Sequence, residues 1–139
     1  MKTVLILIMT LLYFSCSIKV DESVLSQMGG NIYYNSGGFS GESIKIHKNN
    51  TFNVSASTCT ASWEQFNGSW SLKSDTLILQ CRNIVDPNVT DIEEIIERNY
   101  FKQLKFKVFN DGILLLFVDD IELGYRHQYF YELYKYKTD

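Results

Sequence analysis

Histidine is scarce in this sequence: His47 and His127 are the only two, and they stand far apart. That spacing excludes a His-Glu-x-x-His metal helix, and the chain also lacks a Gly-x-Ser-x-Gly nucleophile elbow and a phosphate-cradling glycine loop. A basic excess is missing as well. With 13 Lys and Arg against 16 Asp and Glu, the balance argues against nucleic acid as a partner. Beyond Phe14 no second hydrophobic span follows. No catalytic residues emerge from these patterns, no cofactor or metal is expected, and the chain does not read as an enzyme; a pair of carboxylates is the one catalytic device that composition leaves open.

What is present at the start is an address. Residues 1–16, MKTVLILIMTLLYFSC, carry one Lys, no acidic residue and an apolar run from Val4 to Phe14. This is the pattern of a secretory signal, too short to serve as an ordinary membrane span. Its ending, Tyr13-Phe14-Ser15-Cys16, resembles a bacterial lipobox of the looser Bacteroidetes kind. The resemblance implies cleavage after residue 15 and a lipid on Cys16, hence a protein anchored to an envelope membrane, with the outer membrane expected. A soluble secreted protein cleaved nearby is the alternative. Loss of residues 1–15 removes Lys2 and no acid, so 12 basic residues face 16 acidic ones in the mature chain. Residues 16–28 read as the lipidated N-terminus and a polar tether, in which Asp21-Glu22 behind Lys19 slightly resembles an acidic export signal; 29–139 read as one domain.

With Cys16 assigned to lipid, Cys59 and Cys81 remain as an even pair in an oxidising compartment. A disulfide between them is the simplest reading and would contribute about 3 kcal/mol in the chain-entropy model. Two buried thiols are the second reading. Metal binding is the third, without a further ligand at a recognisable zinc spacing.

The body of the domain alternates. Phe52, Val54 and Ala56 interleave with polar residues, as do Phe66, Gly68, Trp70 and Leu72, and again Leu77, Leu79 and Cys81. Period two is the mark of half-buried strands. Turn residues separate them at Ser36-Gly37-Gly38, Lys48-Asn49-Asn50, Lys73-Ser74-Asp75, Asn110-Asp111-Gly112 and Asp119-Asp120. Eight strands result, at about 31–35, 41–48, 51–57, 65–73, 76–82, 100–109, 113–118 and 125–136. Their inward set includes Phe52, Phe66, Trp70, Leu72, Leu77, Leu79, Phe106 and Phe117, with Trp70 as a core anchor. His47 falls on the outer face near a strand end, and His127 among tyrosines as a structural residue.

Between the fifth and sixth strands the alternation lapses. Thr90 and Glu93 have capping-box spacing, and Ile92, Ile95 and Ile96 share one helical face, so a helix is expected over 91–98. The strand at 113–118 is apolar on both faces and needs cover on its outer side, for which this helix is the nearest element.

Short sequential links favour neighbouring strands, and eight of them remove both free edges by closing. The expected fold is all-β: an eight-stranded antiparallel up-and-down barrel with one short helix between strands 5 and 6. A β-sandwich or half-closed sheet is the alternative. The segments KNNTF, FNGSW and SDTLIL resemble small lipocalin-like lipoproteins of the Bacteroidetes envelope, and the resemblance covers most of residues 29–136. It implies a lipocalin-like barrel but no ligand residues, because Gly68-Ser69-Trp70 lies in the fourth strand rather than the first. Asp75-Thr76-Leu77 also resembles an envelope O-glycosylation signal. Two functions fit: an interaction or structural module acting through its surface, with an envelope protein as possible partner, or a binding protein for a small apolar or amphipathic molecule. The many large inward side chains favour the first, and a cavity would favour the second.

Overall fold

The computed structural model describes residues 19–36, 40–124 and 127–134. Cys16 lies outside the described residues, and so does the expected lipid site. A short helix α1 (Glu22–Ser26) comes first, followed by strands β1 (Ile32–Ser36), β2 (Ser40–Ile46), β3 (Thr51–Thr58), β4 (Ser62–Lys73) and β5 (Thr76–Cys81). Helix α2 (Ile92–Glu97) then crosses to β6 (Gln103–Val108), β7 (Gly112–Val118), the two-residue β8 (Ile121–Glu122), a 3-10 turn (His127–Tyr129) and β9 (Phe130–Leu133).

Every pairing is antiparallel and nearly every neighbour is sequential. The order β6-β5-β4-β3-β2-β1-β9-β7 closes through a β6–β7 pairing, with β8 as a flap on β7. This is the expected eight-stranded barrel, with its short helix between the fifth and sixth strands. The turn chemistry explains the register. Asn50 (φ 63) and Ser74 (φ 55) take the left-handed backbone that tight hairpins require. Gly68 faces Cys81 as the 73–76 turn dictates. The interior is filled from Tyr33, Ile44, Ile46, Phe52, Val54, Leu77, Leu79, Phe106, Val108 and Ile113, each at most 1% exposed.

Two bulges change what alternation alone implies. Val54 faces Phe66 while Ser55 faces Glu64, so Gln65 is an extra residue in β4; Phe106 faces Leu115 while Lys105 faces Phe117, so Leu116 is an extra residue in β7. The second bulge turns Phe117 outward, contrary to its expected inward position. There the Lys105 ammonium lies 5.7 Å from its ring centroid, a cation–π contact. Val118, opposite Leu104, takes the inward place and is fully buried.

Helix α2 does not cover the outer face of β7. Its Ile95 joins the barrel core, with Ile92 and Ile96 packed against it, so the helix lies over one end of the barrel. On the outer face Leu114, 1% exposed, pairs with Lys107 on one side and Phe130 on the other. The helix cap also differs by one residue from the expected one. Asp91, not Thr90, is the N-cap, and its carboxylate accepts from the Glu94 N–H at 3.0 Å.

The segment expected as a tether is partly structural. Asp21 caps α1, its own N–H donates to Asn110 Oδ1 at 2.7 Å, and Met28 is 1% exposed inside the core. The final strand is shorter than expected, since the chain from His127 to Tyr129 forms a 3-10 turn before β9 begins.

No disulfide joins Cys59 and Cys81. Cys81 sits opposite Gly68, whereas Cys59 follows Thr58 at the β3–β4 hairpin tip, beyond the level where Ser57 faces Ser62. From Ser62 to Gly68 the strand rises about 20 Å, and a disulfide needs Cα atoms within about 7 Å. Cys81 is buried and Cys59 exposed.

Candidate functional site

The two ends of the barrel differ. At one end stand α1 and the β2–β3, β4–β5 and β6–β7 turns; at the other, the β3–β4 tip, α2 and the β7–β9 connection. The first end is sealed by specific contacts. Tyr33 donates its hydroxyl hydrogen to Met28 Sδ at 3.1 Å and accepts from Asn31 Nδ2 at 3.2 Å, while Val24 and Leu25 pack against the same core. Trp70 belongs to this plug. It is inward-facing but half-buried, and its Nε1–H donates to the His47 carbonyl at 2.7 Å. The His47 ring bonds Asn53 Oδ1 at 2.8 Å, so this histidine braces the closed end.

The opposite end holds a cavity of about 300 Å³. Its floor is apolar, formed by Ile44, Phe66, Leu104, Phe106, Leu115 and Val118, with Phe101 and Ile96 of the crossing segment over one side. The aromatic rings are held edge to face: Phe66 with Phe101 at 5.2 Å, and Phe106 with Tyr131 at 5.9 Å between centroids. That volume is at the lower bound for small-molecule pockets.

Polar residues also line the cup, Gln65, Glu97, Asn99, Gln128 and Tyr129 among them, and one group, Asn35, Glu42 and Tyr131, is hydrogen-bonded into its wall. In the row Asn35, Glu42, Ala56, Trp63, each residue faces the next across β1 to β4, and Glu42 has the same parity as the buried Ile44 and Ile46. Tyr131 of β9 donates its hydroxyl hydrogen to Glu42 Oε2 at 3.0 Å. Asn35 Nδ2 donates to the Gln128 carbonyl at 2.8 Å and to the Phe130 carbonyl at 3.0 Å, tying the 3-10 turn to the wall. Burial raises the Glu42 carboxyl above its ordinary range, against the opposing effect of the Tyr131 hydrogen bond. Tyr131 lies well above the usual phenol range, chiefly from burial and secondly from the Glu42 charge. A second concavity at the lip shares Asn35, Glu42 and Gln65 and extends to Trp63, which is 50% exposed.

No family model, curated protein or solved structure matched the chain. The geometry of the cup is therefore what carries a functional reading.

Of the residues singled out from sequence, Phe66, Ile96 and Phe106 reach the cavity. Cys59 and Cys81 do not meet, and Cys81 is held inert: its thiol is pushed up to about 12, by burial first and the nearby Asp119 charge second. Asp75 pairs with Lys107, and Thr76 is half-buried at the start of β5. Among the described residues no three His, Cys, Asp or Glu side chains gather as a metal site, and no helix is long and apolar enough to cross a membrane. Glu42, Asn35 and Tyr131 were not expected as site residues. Their signal was parity: a carboxylate in step with Ile44 and Ile46 faces inward.

Proposed function

We propose that the protein is an envelope lipoprotein, anchored through Cys16, whose barrel takes up a small amphipathic molecule at its open end. The observation that carries this reading is the cup itself. One end is plugged by Met28, Tyr33 and Trp70, and the other opens into a cavity with an apolar floor and a hydrogen-bonded Glu42–Tyr131 pair in its wall. Eight-stranded barrels either fill their interior or hold one small ligand, and a cavity of about 300 Å³ favours the second.

The route of the chain supports the anchored half of the proposal. Val20 already packs against the core at the closed end. Four residues beyond Cys16 reach at most about 14 Å, so a lipid there would hold the closed end toward the membrane and leave the cup facing water. Outward-facing Lys45, Lys105 and Lys107 suit a barrel standing beside a bilayer rather than within it.

The surface-module reading keeps a specific observation of its own, the exposed Trp63 and Ile84, at 50% and 85% exposure. Titration with the neutral fluorophore N-phenyl-1-naphthylamine separates the two. Uptake with enhanced emission, abolished in Leu115→Trp or Val118→Phe proteins that still melt cooperatively, is expected from the cup. Absence of uptake, or uptake indifferent to both fillings, would leave the surface reading. Fractionation of wild type and Cys16→Ser tests the anchor, with movement from membrane to soluble fraction as the expected result.

A further inference from the structure

We infer that the molecule taken up by the cup is an amine, with a protonated nitrogen on an apolar body, and this rests on the cavity being the binding site. Hydrogen-bonding capacity around Glu42 is one-sided. Both N–H groups of the Asn35 amide are spent on the Gln128 and Phe130 carbonyls, and the Tyr131 O–H is spent on Glu42. What these three side chains have left to offer is acceptor capacity: the Asn35 amide oxygen, the Tyr131 phenolic oxygen and the Glu42 carboxylate. A ligand that only accepts finds no free donor among these three.

Charge gives the same answer. The cavity lining contains two carboxylates, Glu42 and Glu97, and neither lysine nor arginine. A carboxylate or phosphate head would enter without a cation to pair with and would face two like charges. An ammonium head meets the reverse: a half-buried carboxylate for a charge-assisted hydrogen bond, two further acceptors beside it, and the Phe66, Phe106 and Tyr131 rings around it. Burial already penalises the ionised Glu42 carboxyl, and a bound cation relieves that penalty. The other side-chain donors of the lining belong to Gln65 and Gln128, which are exposed, and to Asn99 and Tyr129, which are half-buried; none of them is a cation.

The test is calorimetric titration at pH 7 with octylamine, octan-1-ol and octanoate, which share one apolar chain and differ in the head. The expected order is amine, then alcohol, then carboxylate, with the amine about tenfold tighter than the alcohol because its bond to Glu42 is charge-assisted. Glu42→Gln is expected to bring the amine to the level of the alcohol while alcohol binding persists, which also shows that the variant keeps its cavity. A carboxylate preference, or an amine preference that survives Glu42→Gln, would overturn the inference while leaving the cup a binding site. Loss of both amine and alcohol in Glu42→Gln would also overturn it, since the carboxylate would then shape the cavity rather than select charge. If wild type binds none of the three, the uptake reading itself fails and the inference falls with it.

Discussion

Tyr131 on β9 reaches past β1 to donate a hydrogen bond to Glu42 on β2, at 3.0 Å and in the wall of the cup. The pair ties the end of the meander to its beginning, next to the seam where β9 closes the barrel on β1 and β7. Glu42 titrates above its ordinary value of 4.5, mainly through burial. A carboxyl that is harder to ionise in the folded chain contributes stability that is fully present below the unfolded value and is lost as pH rises through the folded one. Glu42→Gln removes the penalty, so its melting temperature is expected to exceed wild type at pH 7, with the gap closing toward pH 4. Tyr131→Phe leaves the carboxylate without its donor and is expected to lose about 1–3 kcal/mol at pH 7. Thermal melts at the two pH values decide the matter. A Glu42→Gln gap of equal size at both would mean that the carboxyl is solvated.

The strand order was legible because each hairpin announces itself locally. Asn50 and Ser74 adopt the left-handed conformations that their turns ask for, and the alternation on either side then sets which residues face in. The bulges were not legible. An inserted Gln65 or Leu116 looks like any other strand residue, and β7 is apolar on both faces, so alternation there carries no phase information. The same blindness assigned Phe117 to the interior. Cysteine counting misled because an even pair says nothing about distance, and Cys59 and Cys81 lie at different levels of the barrel. Glu42 was readable from its parity with Ile44, but its partner was not, because no local pattern predicts which residue of the last strand meets β2.

Gly68 and Gly41 both lie in strands, and both leave room for a neighbour, but the neighbours differ in what they can yield. A Cβ on Gly68 would fall within the van der Waals shell of the Gln80 carbonyl oxygen, a main-chain atom fixed by the β4–β5 ladder. On Gly41 it would meet the hydroxyl end of Tyr34, a side chain 39% exposed and able to swing away. Gly68→Ala is expected to cost about 3 kcal/mol by forcing strands apart, and Gly41→Ala less than about 1 kcal/mol. Urea unfolding of the two variants checks the contrast. Equal costs would mean that β5 does not approach β4 as closely as the register places it.

Met28 supplies the sharpest test of where the folded unit begins. Residues 17–28 look like a tether because their apolar residues, Ile18, Val20, Val24, Leu25 and Met28, keep no sustained period among polar ones, and α1 is a single turn and a half with no buried residue of its own. Tertiary contact overrides that impression: Met28 is 1% exposed, its sulfur accepts the Tyr33 hydroxyl, and Asn31 donates to the same hydroxyl oxygen. Met28→Ala is expected to cost about 2–5 kcal/mol through the cavity it leaves and the acceptor it removes from Tyr33. A Tyr33→Phe protein is expected to lose less, about 1 kcal/mol, since Met28 stays packed in the core and the Asn31 amide is only half-buried. Shortening the chain to begin at residue 29 removes α1, Val20 and Met28 together, and its melting temperature is expected to fall well below that of a chain beginning at residue 17. If the two lengths melt alike, residues 17–28 are only a tether, and the closed end of the cup is held by Tyr33 and Trp70 without them.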